Sequence, residues 1–383
     1  MAAMLVGALT VAACSGTAPS AIVTPASGST EPATGPTASP TTPTVVAPTT
    51  AAEATTTTRG LRRAIVLGFA GDTSFTNGLS ERDPFAAVTS LLQAPDFMMV
   101  NLETAVADSD VGRPPVPKPF LFRSPPESVE LLINAGIDAV SLANNHTLDF
   151  GQAALEQTLV ELDARGLPHV GGGIDEAAAY EPLIVPVGDW IIGVVGLSRV
   201  PCDWSASGAN VRPQVAWACD PFLDLADRAI AQATAEADVV VVLVHGGEEG
   251  VFCPSEFMVE LNRRWSDLGV DLVVNGHPHV VQGITSHGET LVVNSTGNFA
   301  FPPARGVTAN SGIFTVEITE ARPDAAPQLS LTLVPLRADG GVLSVPSESQ
   351  AAAIFEQVNG VSHGWTLDVD GRAVADPEHI GSC

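Results

Sequence analysis

The stretch Leu272-Val273-Val274-Asn275-Gly276-His277-Pro278-His279-Val280-Val281-Gln282 sets two histidines one residue apart at the end of an apolar run. Such a run reads as a buried strand. Gly276 lets the backbone turn and Pro278 stiffens it, so His277 and His279 can converge on one point. A lone His-x-His is most often an incidental surface loop. Here other strand ends carry ligand-type residues too: Asp72, Glu103, Asn145 with His146, and His245 with Glu249. Imidazole, carboxylate and amide groups without a thiolate suit a mixed nitrogen and oxygen site for Zn, Mn or Fe, and make a structural zinc cage a poor fit. Two such ions bridged by one carboxylate would activate a water and clamp a phosphoryl or acyl oxygen.

Side chains so far apart in sequence meet only if several strands end on one edge, which is the habit of α/β folds. Apolar runs predict strands over 64–70, 96–100, 137–142, 239–244, 270–274 and 290–293, and a hairpin of 183–187 with 191–197. Helical spacing predicts helices over 126–135, 152–165, 221–237 and 255–268, with Gly136 and Gly166 stopping the first two. Residues 311–336 alternate like strands of a closing sheet, 170–173 read as a flexible glycine loop, and 341–383 read as a C-terminal tail. The Pro-rich loop 108–126 carries Lys118, Phe120, Phe122 and Arg123, basic and aromatic groups scarce elsewhere, and is a candidate for contacting substrate.

The chain has 383 residues, a formal net charge of −26 and only 17 Lys and Arg, which argues against a nucleic-acid partner. A polyanionic ligand would have to meet a local positive centre such as a metal cluster. Residues 1–14 are a short apolar segment ending in Val11-Ala12-Ala13-Cys14, with no Lys or Arg before it. It is too short to span a bilayer and reads as a secretory signal with a bacterial lipobox, making Cys14 the lipidated residue. Residues 15–58, nearly all Ala, Thr, Pro, Ser, Gly and Val, read as a disordered tether that would hold the folded part away from the membrane. Cys202, Cys219, Cys253 and Cys383 are an even set in an exported context. Of the possible pairings, Cys202–Cys219, which brackets a loop in need of fastening, and Cys253–Cys383, which ties down the terminus, are favoured.

The order Asp, acid, Asn-His, His, His-x-His resembles the calcineurin-like metallophosphoesterase pattern. That resemblance implies an α/β sandwich of β-sheets flanked by helices, with Asp72, Glu103 and His279 holding one metal. Glu103, Asn145, His245 and His277 would hold the second, and His146 would protonate the leaving group. Ser74 stands where that pattern has a histidine and Glu103 where it has Asp, so one or two ions are expected. A closer resemblance spans residues 60–340: Gly71-Asp72, Asn101-Leu102-Glu103, Ala143-Asn144-Asn145-His146-x-x-Asp149-x-Gly151, His245-x-Gly247-x-Glu249, His277-Pro278-His279-Val280-x-Gln282 and Gly297-Asn298-Phe299-x-Phe301. These motifs, in this order, resemble the CapA family, associated with poly-gamma-glutamate capsule synthesis. With Lys118 and Arg123, the motif positions Asn144, Asp149, Glu249 and Asn298 are assigned to substrate. The resemblance implies an exported lipoprotein on the outer face of the membrane or in the cell wall. Its partners would be an anionic polymer or precursor and membrane-bound capsule synthesis proteins. It would act as a metal-dependent hydrolase of a phosphoester or gamma-glutamyl amide, or as a non-catalytic polymer-binding or assembly subunit that keeps the metal constellation.

Overall fold

The computed structural model describes residues 60–201, 214–323 and 325–383; the expected signal with Cys14, the tether and Cys202 lie outside the described residues. In strand Val239–His245 successive side chains alternate between two buried faces, Val239, Val241 and Leu243 on one and Val240, Val242 and Val244 on the other. A strand buried on both faces needs a layer on either side.

Two sheets and outer helices supply those layers. One sheet has seven strands, in the order Val342–Ser344, Pro327–Asp339, Asn310–Glu320, Ile65–Thr73, Phe97–Leu102, Ala139–Ser141, His169–Val170. The other has six, in the order Ile284–His287, Thr290–Val293, Leu272–Gly276, Val239–His245, Trp190–Ser198, Leu183–Val187. Ile65, Leu67 and Phe69 of the first share a core with Val239, Val241, Leu272 and Val274 of the second. The opposite faces pack on helices: Met98 and Val140 cluster with Val129, Leu132 and Leu155, and Val240 and Val242 with Ile230 and Trp265. The expected sandwich of sheets flanked by helices is therefore present, and the predicted helices appear as Ser128–Ala135, Gly151–Ala164, Leu223–Glu236 and Glu256–Asp267.

Strands 65–73, 97–102, 139–141 and 169–170 run parallel, as do 190–198, 239–245, 272–276 and 290–293. Parallel strands bring their C-terminal ends to one edge, where open α/β folds bind ligands. The two sheets are stitched together at that edge: the Asp72 N–H donates to Gly297 O at 3.0 Å, and the Phe299 N–H donates to Asp72 O at 2.8 Å. A Cβ on Gly71 would fall 1.9 Å from Gly297 O, so the approach requires glycine there.

Two expectations change. The glycines of 170–173 are buried and Gly172 bridges Val215, so that loop is packed. The segment after residue 340 is built into the domain. Ser347 and Gln350 form a capping box on helix Glu348–Val361, whose Ile354 and Val358 enter the core between the sheets. The run Ala351-Ala352-Ala353 blurs the apolar face of that helix in sequence. Strands His363–Leu367 and Ala373–Ile380 then pair, and Cys383 is bonded to Cys253 with their Cα atoms 5.4 Å apart. Cys219 is also disulfide-bonded. Among the described residues no helix is long and apolar enough to cross a membrane.

Candidate metal centre

Each candidate ligand leaves the C-terminal end of a parallel strand. Asp72 is the next-to-last residue of Ile65–Thr73 and His245 the last of Val239–His245, while Glu103, Asn145 and His277 follow Phe97–Leu102, Ala139–Ser141 and Leu272–Gly276. His277 and His279 have φ of 95° and 55°. Side chains rarely take this left-handed backbone, at a cost of roughly 1–3 kcal/mol each, and such strain concentrates at functional sites. Gly276 is needed for a different reason: a Cβ there would lie 2.6 Å from Asp72 Oδ1.

The side chains converge on two overlapping groups. His245 Nε2 lies 2.8 Å from Asn145 Oδ1, 3.1 Å from His277 Nδ1 and 3.3 Å from Glu103 Oε1. Ligand atoms about 2.1 Å from a common ion sit about 3.0–3.4 Å from one another, so these separations suit a shared cation. Alongside, His279 Nδ1 lies 3.0 Å from Asp72 Oδ2, and its Nε2 lies 3.9 Å from Glu103 Oε1. Glu103 belongs to both groups. It is wholly buried, and neither of its oxygens has a hydrogen-bond donor among the described residues. A buried carboxylate with no donor is among the most unfavourable arrangements in a protein interior. A divalent cation would satisfy it, so the residues present fit one or two metal ions, with Glu103 as the bridge.

The titration of the metal-free site points the same way. Burial opposes ionisation of Asp72, yet the hydrogen bond and charge of His279, with help from His245 and Asn101, hold its carboxyl well below the ordinary range. Burial likewise works against charge on His279, but Glu103, Asp72 and Glu249 push its pKa up to about 10. Burial and the neighbouring His245 and His279 hold His277 well below 6.5. At neutral pH, then, His279 is a cation beside two buried carboxylates and His277 is a neutral donor.

His146 stands at the side of this cluster. Its Nε2 faces Glu103 Oε1 at 3.8 Å and its Nδ1 is 2.6 Å from Asp149 Oδ2. Asp149 is fully buried and also takes hydrogen bonds from Lys118 Nζ at 2.5 Å and from the Phe122 N–H at 2.7 Å. It fixes the orientation of His146 and has no free edge for substrate. Asn144, also assigned to substrate, is buried: its Oδ1 accepts from the N–H groups of His146 and Thr147, and its Nδ2 donates to Leu102 O. It shapes the loop. Asn298 Oδ1 lies 2.9 Å from His279 Nδ1 and its Nδ2 donates to His279 O, so it orients that ring. Arg123 donates to Val111 O at 2.8 Å and lies 3.7 Å from the Phe150 ring centre, so its guanidinium is engaged within its own loop and on Phe150. Lys118 stays at the site through Asp149 and Asn145 O, and Glu249 stays exposed beside His277 and His279.

Sequence reasoning left Asn101 without a role, although it stands two residues before Glu103 on the same face of its strand. Its Nδ2 donates to Asp72 Oδ1 at 2.8 Å and reaches His245 Nδ1 at 3.0 Å. Phe122, expected in a loop that contacts substrate, and Phe301, expected only as a motif position, instead stack on His146 and His279 at centroid distances of 4.0 and 4.8 Å. An aromatic that walls a histidine looks in sequence like any core residue.

The family described as bacterial capsule synthesis protein PGA_cap matches residues 61–303, a span that contains the whole cluster. A PGA biosynthesis protein CapA from Bacillus subtilis is 27% identical over 297 residues, covering 77% of this chain and 76% of its own. A probable polyglutamine synthesis accessory protein from Mycobacterium tuberculosis is 27% identical over 315 residues, covering 78% and 80%. Among solved structures, a novel phosphatase from Mycoplasma pneumoniae is similar at a TM-score of 0.42 and 12% identity, over 71% of this chain and 94% of that one. That likeness is too distant to speak to chemistry.

Proposed function

Because the chain belongs to the bacterial capsule synthesis protein PGA_cap family, we propose that it serves the synthesis, export or anchoring of poly-gamma-glutamate or a related anionic surface polymer through a metal-dependent hydrolytic site. The observation that carries this reading is Glu103, a buried carboxylate with no donor, ringed by His146, His245 and His279. In the reading, Asp72, Glu103 and His279 hold one ion, and Glu103, Asn145, His245 and His277 hold the other. Mn, Zn or Fe bound there supplies Lewis acidity toward a phosphoryl or acyl oxygen and makes water more acidic. His146 holds a proton on the ring nitrogen that faces the cluster and passes it to the leaving group, while Asp149 keeps that ring in place. Phe122 and Phe301 cover ring faces and keep water from them. The bond cleaved is a phosphoester or a gamma-glutamyl amide.

On a chain of net charge −26 a polyanion is drawn only to a local positive centre, which the ions provide. Lipid on Cys14 and the tether 15–58 would hold the domain on the outer face of the membrane, near membrane-bound capsule synthesis proteins. The Cys253–Cys383 bond suits an oxidising compartment.

One observation favours a second reading. Asp72, Glu103 and His279 make a three-group set, and Ser74, which stands where the resembled pattern has a histidine, is a buried neutral hydroxyl. A site with one weak ion would serve a polymer-binding or assembly subunit without turnover. Metal content measured by mass spectrometry on the wild type and on His277→Ala tests the shared premise. About two equivalents, falling in the variant, are expected; no metal after supplementation with Mn, Zn and Fe would sink the hydrolase. His146→Ala, which should keep its metal, then separates the readings: turnover that disappears supports the enzyme, and polymer binding with no turnover in either protein supports the subunit.

A further inference from the structure

Divalent ions of this class take four to six ligands, and beside the two three-residue sets that contain Glu103 a third set joins Glu249 to His277 and His279, one histidine from each of the other two. We propose that Glu249 is a direct metal ligand that closes the solvent side of the His277–His279 pair; the inference rests on the metal reading of the site above. A carboxylate oxygen of Glu249, one nitrogen of His277 and one nitrogen of His279 lie within 4.8 Å of one another. The independent pointer to a cation is Glu103, buried and without a donor among the described residues, which groups with His277 in one set and with His279 in another.

An exposed carboxylate makes a good ligand only if its loop is already ordered, because ordering costs binding energy. The loop that carries Glu249 is held to the histidine turn itself. The Gly250 N–H donates to Pro278 O at 2.8 Å, between the two histidines. Gln282 Nε2 donates to Val251 O at 2.7 Å and to Cys253 O at 3.2 Å. Cys253 is bonded to Cys383. Ser74 is a weaker candidate for the same task, because it is neutral and its hydroxyl is turned to Thr76 Oγ1 at 3.5 Å. A carboxylate on the His277–His279 pair adds negative charge and oxygen to the donor set, which favours a harder ion such as Mn²⁺ over Zn²⁺.

The test is Mn²⁺ titration by calorimetry on the full chain after chelation, with wild type, Glu249→Gln, Glu249→Asp and Glu248→Gln. Glu248 is the adjacent exposed acid, so its variant makes the same change in charge without touching the cluster. The expected result is that Glu249→Gln loses one of the bound equivalents or weakens it by at least about 10-fold. Glu249→Asp should recover part of the loss and Glu248→Gln should stay within about twofold. A wild type that binds Mn²⁺ with Glu249→Gln unchanged, or with Glu248→Gln equally impaired, overturns this inference alone. A wild type that binds no Mn²⁺ overturns the metal reading and the inference with it.

Discussion

Glu103 has no exposed surface and no hydrogen-bond donor among the described residues, a burial that a cation would compensate. Glu103→Gln is therefore expected to abolish metal binding while the chain still unfolds cooperatively in urea; a variant that binds metal as the wild type does would remove Glu103 from the ligand set. His279 makes a second prediction. Its folded pKa of about 10 lies above the ordinary 6.5, so at neutral pH an ion that takes this ring must displace a proton. Mn²⁺ affinity should rise about tenfold per pH unit between pH 7 and 9, whereas His277, already neutral, adds no slope. A flat profile in calorimetry would remove His279 from the ligand set. Without metal the sign reverses: a raised pKa means the folded state binds the extra proton, so this group's stabilisation is complete below 6.5 and is lost as pH rises toward 10.

At the scale of elements, the histidine turn depends on parts distant in sequence. The Gln357 side chain, on helix Glu348–Val361, donates to Val281 O at 2.7 Å, two residues past His279, and Ser362 Oγ accepts from the Ile284 N–H at 2.8 Å. The segment that reads as a tail is thus a buttress. Ile354→Ala should cost about 2–5 kcal/mol in urea unfolding, whereas a loosely attached tail would show no change. The other main elements are legible because their signals are strong: valine runs such as 239–244 and the apolar spacing of 223–236 both follow directly from burial on one or two faces.

For the whole molecule, a net charge of −26 means that an anionic partner would need a local positive centre, which the proposed ions would provide. A lipid at Cys14 would decide where that edge works. Cys14→Ser is expected to move the protein from the membrane fraction to the soluble fraction, as followed by immunoblot; an unchanged distribution would remove the anchor from the account.

The sequence by itself determined which residue types stand at the strand ends, and so the chemistry open to them, because ligand identity and local period are written residue by residue. Only the tertiary structure decided their surroundings. Asn144, Asp149 and Asn298 look in sequence as fit for substrate as Glu249 does, yet the fold buries them and occupies their polar atoms with backbone and ring nitrogens. Burial and hydrogen-bond partners arise from elements up to hundreds of positions apart, as when the His277 N–H donates to Asp72 Oδ2, so no local pattern can encode them.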